Sequence, residues 1–251
     1  MLARQRQQKI LEQLDSQDSV VVSELSRALQ VSEMTIRRDL QQLEQQGALI
    51  RTHGGALAVD IRTEPDFAAK ADLLQAEKQR IALLAASLAS RGVIGLSAGT
   101  TTTAVAAALN RHNSDLTVVT NAVNIAAQLA GSDITVMLTG GVMRSKSYAL
   151  VGPLLPSSLE NIWLDWLFLG ANGISSVGGI TTPNLEEAEA NACLLARAKK
   201  TAVVADHSKL GKTAFGRIAG LNEIDMLITD HAADGALLET ISAQGVEIRL
   251  A

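Results

Sequence analysis

Aromatic side chains are nearly missing: two tryptophans, one tyrosine and three phenylalanines, 2% of 251 residues. A core without rings must be packed from Ala, Val, Leu and Ile, as in parallel sheets covered by helices. A single cysteine, Cys193, excludes an intrachain disulfide, and no group of Cys and His has zinc-ligand spacing, so no metal or other cofactor is expected. Cys193 itself reads as a small apolar filler on a helix face. No apolar run approaches the roughly eighteen residues a membrane helix needs, and no charged-then-apolar leader is present. The expectation is a cytosolic chain with no membrane partner. Excess positive charge is missing too: Lys plus Arg number 22 against 26 Asp plus Glu, a net charge of −4. That balance excludes indiscriminate coating of nucleic acid and confines any DNA contact to a local patch.

What is present is globular composition, 47% hydrophobic and 19% charged, in a chain long enough for two unequal domains. Residues 3 to 14, "ARQRQQKILEQL", place Ile10, Leu11 and Leu14 at helical spacing. Val22, Leu25 and Leu29 repeat it, with Ser23 in position to cap a second helix. A third helix follows a short turn in "VSEMTIRRDLQQLEQQG", with Ser32 as N-cap and Gly47 as the stop. "ALIRTHGGALAV" then reads as a hairpin turning near His53, Gly54 and Gly55. Three helices and a hairpin are the order of a winged helix-turn-helix, assigned to residues 1–57.

Ile36, Leu40 and Leu43 form the inward stripe of the third helix, leaving Met34, Arg38, Gln41 and Gln45 outward with Thr35 and Arg37 beside them. A helix-turn-helix sets the N-terminal half of its second helix against base edges in the major groove. The expected DNA contacts are Ser32, Thr35, Arg37, Arg38 and Gln41, with Arg51 and His53 from the hairpin. Up to residue 55 the cations 4, 6, 9, 27, 37, 38 and 51 balance the anions 12, 15, 18, 24, 33, 39 and 44. Binding therefore rests on one small positive face, and a dimer or tetramer presenting several half-sites is the expected remedy.

Residues 58–75, with Pro65, read as a linker, and 76–251 as an α/β domain. Its strand-like runs are "VIGLS" (93–97), "LTVVT" (116–120), "ITVMLTG" (134–140), "WLFLG" (166–170), "TAVVAD" (201–206) and "DMLIT" (225–229). Apolar strands alternating with helices predict a parallel sheet covered on both faces. "GLSAGTTTTAVAAAL" takes such a strand through Gly99 into a helix whose first N–H groups form a ready anion site, with Thr100, Thr101 and Thr102 around it. It lacks the lysine and spacing of a Walker loop, so nucleotide hydrolysis is not indicated. Other strand ends add Asn121, Gly140, Gly141, Gly170, Asn172, Gly173, Asp206, Ser208 and Lys209, where open α/β sheets hold ligands. His207 reads as a hydrogen-bonded structural histidine.

With "VSEMTIRRDLQQLEQQGALIRTHGG" and "SAGTTT" in place, the chain resembles the DeoR family of bacterial transcriptional regulators over nearly its full length. The resemblance continues through "VVTNAVNIA", "LTGGVMR", "LVGP", "FLGANGI", "GGITTPNLEEAE" and "VVADHSKLGKTAF". It implies a winged helix-turn-helix joined to a sensor domain whose α/β fold is shared with ribose-5-phosphate isomerase and glucosamine-6-phosphate deaminase. It further implies a repressor of a carbohydrate-use operon, relieved by a phosphorylated sugar. Carried over by position, Thr35, Arg37 and Arg38 fall in the reading helix. Gly99 to Thr102, Asn121, Gly140, Gly141, Gly170, Gly173 and Lys209 fall in the effector pocket.

Three positions depart from the family pattern. Ser97, Ala98 and Gly99 stand where Asp-Ser-Gly is common, Asn172 replaces an acid, and Asn191 replaces a lysine. Exchanging carboxylates for groups that both donate and accept retunes contacts to sugar hydroxyls, which puts Ser97 and Asn172 among the expected effector residues. Two rival readings remain open at this level: a sugar phosphate isomerase or deaminase with a DNA-binding arm, and a regulator whose second domain only oligomerises. For the first, the carboxylates nearest the rim are Glu186, Glu187 and Asp206.

Overall fold

The computed structural model describes residues 3–17, 19–45, 49–52, 54–58, 66–109 and 111–251. They divide into two compact units, Met1–Thr63 and Glu64–Ala251. In the first, α1 (Ala3–Gln17), β1 (Ser19–Val21), α2 (Val22–Leu29) and α3 (Glu33–Gln45) precede the hairpin of β2 (Leu49–Arg51) and β3 (Gly55–Ala58). The apolar stripes meet as the spacing requires: Ile10, Leu14, Val22, Leu25, Ile36, Leu40 and Leu43 are buried in one cluster with Val20, Leu49 and Ala56. Each large side chain so buried contributes about 1.5–3 kcal/mol.

The start of α2 corrects the expected cap. Val21, extended at φ −108°, is the N-cap and makes no side-chain bond, so Ser23 lies inside the first turn. The hairpin instead supplies an acceptor at the start of the helix, since the Val22 N–H donates to the Gly54 carbonyl at 2.9 Å. That arrangement depends on β1 pairing with β3, in the order β1-β3-β2. A Cβ on Gly55 would lie 1.9 Å from the Val20 carbonyl oxygen, so only glycine lets the two strands approach. Gly47 and His53 lie outside the described residues.

A second feature was invisible in a charge count. Arg6 and Asp39 are buried, 9% and 3% exposed, and form a two-pronged ion pair: Nε bonds Oδ2 and Nη2 donates to Oδ1 at 3.1 Å. The pair fastens α1 to α3, and its hydrogen bonds hold the guanidinium above its ordinary pKa.

The second unit opens with α4 (Phe67–Ala71), a helix within the stretch that composition reads as linker, and α5 (Gln75–Ser87). Then come β4 (Gly92–Leu96), α6 (Thr100–Ala108), β5 (Leu116–Thr120), α7 (Val123–Leu129), β6 (Thr135–Leu138), β7 (Val142–Met143), β8 (Leu150–Val151) and α8 (Leu154–Leu159). The chain continues through β9 (Trp166–Gly170), β10 (Gly173–Ser175), β11 (Gly179–Thr182), α9 (Leu185–Leu195), β12 (Thr201–Val204), β13 (Gly216–Ala219), β14 (Met226–Thr229), α10 (Gly235–Ser242) and β15 (Glu247–Leu250).

Seven strands form one parallel sheet in the order β15-β14-β12-β9-β4-β5-β6. All six expected strands belong to it, and β15 is an addition. Alternate side chains serve two cores. Ile94, Leu96, Phe168 and Val204 pack against α5, α6 and α7, whereas Leu167, Leu169, Val203 and Ala205 pack against α8, α9, α10 and a small antiparallel sheet, β10-β11-β13. From β4 the chain builds outward through β5 to β6, then returns to the other side of β4 with β9. The crevice at such a reversal, beyond the C-terminal ends of β4 and β9, is where open α/β sheets place ligands.

Candidate nucleic-acid interface and anion site

The outward face of α3 carries the expected reading residues. Ser32 is the N-cap, its Oγ accepting the Thr35 N–H at 3.3 Å and lying 2.9 Å from Thr35 Oγ1. Arg37 and Arg38 are exposed, as is Gln41. Arg37 makes a loose i,i+4 pair with Glu33 at 3.5 Å, and Arg38 has no ion-pair partner among the described residues. On β2, Arg51 sits 3.4 Å from Glu44 of α3. Met34 stands among these groups 78% exposed, an apolar tip on a polar face.

At the sheet's reversal, several expected ligand groups are committed to holding the loops. Ser97 is fully buried, and its Oγ accepts the Gly170 N–H at 2.9 Å, bridging β4 to β9. Asn121, 1% exposed, accepts the Ala98 N–H at 3.1 Å and donates to the Leu150 carbonyl at 3.2 Å. Gly140 donates its N–H to Ser158 Oγ at 2.9 Å. Gly141 has φ +144°, and a Cβ there would lie 2.7 Å from the Val151 carbonyl oxygen. A Cβ on Gly173 would meet Thr181 Oγ1 at 2.6 Å and the Lys212 carbonyl at 2.7 Å, so that glycine serves packing. Asn172 donates its backbone N–H to Thr181 O at 3.0 Å, and its Oδ1 accepts from Thr182 Oγ1 at 3.3 Å.

The start of α6 is arranged differently. Gly99 is its N-cap, and its carbonyl accepts the Thr103 N–H at 3.0 Å and the hydroxyls of Thr102 at 3.0 Å and Thr103 at 2.7 Å. The N–H groups of Thr100, Thr101 and Thr102 precede the first intrahelical bond and keep their donors for something else. Thr100 stands half-buried, while Thr101 and Thr102 are buried. Beside Thr100, a groove of about 150 Å³ is lined by Phe67, Ala71, Gln75, Lys78, Gln79, Thr103 and Ala104.

Lys78 is the residue that sequence reading missed, because "EKQRIA" looks like any solvated helix. It is 6% exposed, and its Nζ donates to the Lys70 carbonyl. Burial pushes its ammonium down to about 8, with Asp206 opposing the fall and Lys209 and Lys70 adding to it. Lys212 is lowered by burial and by Lys209. Lys209 therefore acts on both Lys78 and Lys212, and the Asp206 carboxylate opposes it at each.

Of the three candidate carboxylates, Glu186 is exposed, and the other two are hydrogen-bonded within the fold. Glu187 is held by Arg144 and Ser147, lies 3.4 Å from Thr182 Oγ1, and has its own backbone N–H capped by Asn184. Asp206 accepts from both the backbone and the hydroxyl of Ser208. His207 Nδ1 is 2.8 Å from Asp230 Oδ2, and its backbone N–H donates to Asp230 Oδ1 at 2.7 Å.

Two family profiles match the chain: the DeoR-like helix-turn-helix domain over residues 6–62 and the DeoR C terminal sensor domain over residues 74–231. The chain belongs to the DeoR family. This DeoR-family regulator is 39% identical to the HTH-type transcriptional regulator GlpR of Haloferax volcanii, across 99% of the chain and 98% of the relative. It is 36% identical to the HTH-type transcriptional repressor GlcR of Bacillus subtilis (99% and 96%), and 30% identical to the glycerol-3-phosphate regulon repressor of Escherichia coli (100% of each). Among solved structures, ribose 5-phosphate isomerase A of Methanocaldococcus jannaschii overlaps 53% of each chain at 17% identity and a TM-score of 0.38. Among the described residues of this DeoR-family chain, no helix is long and apolar enough to cross a membrane, and no group of three or more His, Cys, Asp or Glu could hold a metal ion.

Proposed function

We propose that this protein represses a carbohydrate-utilisation operon and that a phosphorylated sugar bound at the sheet's reversal controls it. On DNA, Ser32, Thr35, Arg37, Arg38 and Gln41 of α3 enter the major groove, with Arg51 and His53 of the hairpin on the backbone. The bare Met34 suits a thymine methyl, the apolar feature of that groove. In the sensor unit, the phosphate sits on the N–H groups of Thr100 to Thr102, with Gly99 allowing close approach and Lys78 and Lys209 supplying charge. Asn172 and Gly170 border the sugar hydroxyls.

The observation that carries this reading is the buried Lys78 sharing a groove with Thr100 at an open helix start. A lysine kept from water at a cost is favoured where an anion restores its partner. Of the three rim carboxylates, Glu187 is committed to Arg144 and Ser147 and Asp206 to Ser208, which supports a sensor over an isomerase; Glu186 is exposed. A relative named a glycerol-3-phosphate regulon repressor is in keeping with a phosphorylated signal.

The test has two arms. Thermal shift against a panel of sugar phosphates and their unphosphorylated sugars should give a rise in Tm for a phosphorylated member, lost in Lys78→Met. Mobility shift with the protein's own upstream DNA should be abolished by Arg37→Ala plus Arg38→Ala. The bound sugar phosphate should alter DNA affinity by the same factor by which DNA alters sugar phosphate affinity. Response to no panel member, or an unchanged shift in the double variant, refutes the corresponding half.

A further inference from the structure

The two edges of the seven-stranded sheet are built differently. At one, β15 carries Glu247 and Arg249, paired with each other at 2.6 Å, charges of the kind that blunt an edge against unwanted pairing. At the other, β6 pairs with β5 and, among the described residues, with no strand on its outer side. From Ile134 to Met143 the sequence "ITVMLTGGVM" holds neither a charge nor a proline. Leu138, Val142, Met143 and Leu154 are 40%, 71%, 49% and 61% exposed there, and Leu154 abuts the turn after β6, its Cβ 3.0 Å from where one would stand on Gly140. Thr139 donates inward to the Thr120 carbonyl at 2.9 Å, so the alternation of a strand turns the N–H and C=O groups of Val136 and Leu138 outward.

We infer that this edge joins two copies of the chain, β6 pairing antiparallel with β6 of the partner subunit across a two-fold axis, with Val142, Met143 and Leu154 closing over the seam. The absence of charge selects the occupant. A two-fold interface sets each segment against itself, and any charge on β6 would approach its own copy. Nucleic acid or an anionic membrane surface needs cations that this edge does not offer. Centring the pair on Met137 sets that residue opposite itself and places Val136 against Leu138 of the partner subunit, which exchanges the outward hydrogen bonds. The inference locates the joint between copies and holds whatever ligand the sensor unit takes.

Sedimentation velocity over a concentration series tests it. The wild-type chain should form dimers or larger assemblies. Leu138→Lys should raise the dissociation constant at least tenfold with an unchanged melting profile, and Leu250→Lys on the opposite edge should leave assembly as it is. In a Cys193→Ala background, Met137→Cys should give disulfide-linked dimers under mild oxidation, since that position meets itself. A monomeric wild type, an intact assembly in Leu138→Lys, an equal loss in Leu250→Lys, or no cross-link through position 137 overturns the inference.

Discussion

Removing Asp39 should unfold the DNA-reading unit and spare the sensor. Arg6 is 9% exposed and its charge is met by Asp39 on two prongs. Deleting the carboxylate in Asp39→Ala leaves a buried guanidinium without compensation, which costs about 3–5 kcal/mol. The first unit spans 63 residues, Met1–Thr63. At roughly 0.05–0.15 kcal/mol per residue its whole stability is about 3–9 kcal/mol, so one substitution removes a third or more of it. The core clusters of the sensor unit contain neither residue and should keep their stability. Calorimetry should resolve two transitions in Asp39→Ala, the earlier one small and accompanied by loss of mobility shift at a temperature where the sensor remains folded. Replacing both partners, Arg6→Met with Asp39→Leu, removes the orphaned charge and should recover most of the lost stability. A cost below about 1 kcal/mol in the single variant, or no recovery in the double, refutes the argument that burial makes this pair all-or-none.

Two further outcomes follow from the sensor unit. Lys78 has a folded-state value of about 8 against an ordinary 10.5. The folded state therefore binds fewer protons than the unfolded one between those values, and stability rises with pH across that window, while below about 8 the buried charge carries its full cost. The Tm advantage of Lys78→Met over wild type should accordingly be largest near neutral pH and shrink towards pH 10.5 in a melting series; an advantage independent of pH contradicts it. Ser97→Ala deprives the Gly170 N–H of its acceptor at the crevice and should cost about 1–3 kcal/mol in urea unfolding. Unchanged stability with weakened sugar phosphate binding would instead place the Ser97 hydroxyl on the ligand.

What could be read beforehand tracks how local each cause is. The near-continuous apolar runs of β4, β5, β9, β12 and β14 announce buried strands, the apolar run of β6 proves to be an edge, and all six belong to the sheet. The run "EIRL" of β15 hides because Glu247 and Arg249 interrupt its apolar pattern, and β10, β11 and β13 hide in short stretches rich in Gly, Ser and Thr that resemble loops. On α3, helical periodicity alone separated Ile36, Leu40 and Leu43 from the exposed Arg37, Arg38 and Gln41. Ser23 failed as a cap because the acceptor at the start of α2 comes from Gly54, 32 residues further on.

The sequence by itself determined the order of the first three helices and of six of the seven sheet strands, the outward face of α3 and the glycine-to-threonine helix start, since periodicity, turn chemistry and capping act within a few residues. Only the tertiary structure decided which polar groups are spent and which are open. Ser97, Asn121 and Gly140 look like ligand donors in a list of strand ends, yet each is bonded to a neighbouring loop. Lys78 and Asp39 look like ordinary solvated charges, yet both are buried, one in the groove beside Thr100 and one against Arg6. The physical reason is the same in each case: burial and hydrogen-bond partnership are set by segments distant in sequence, and only folding brings them together.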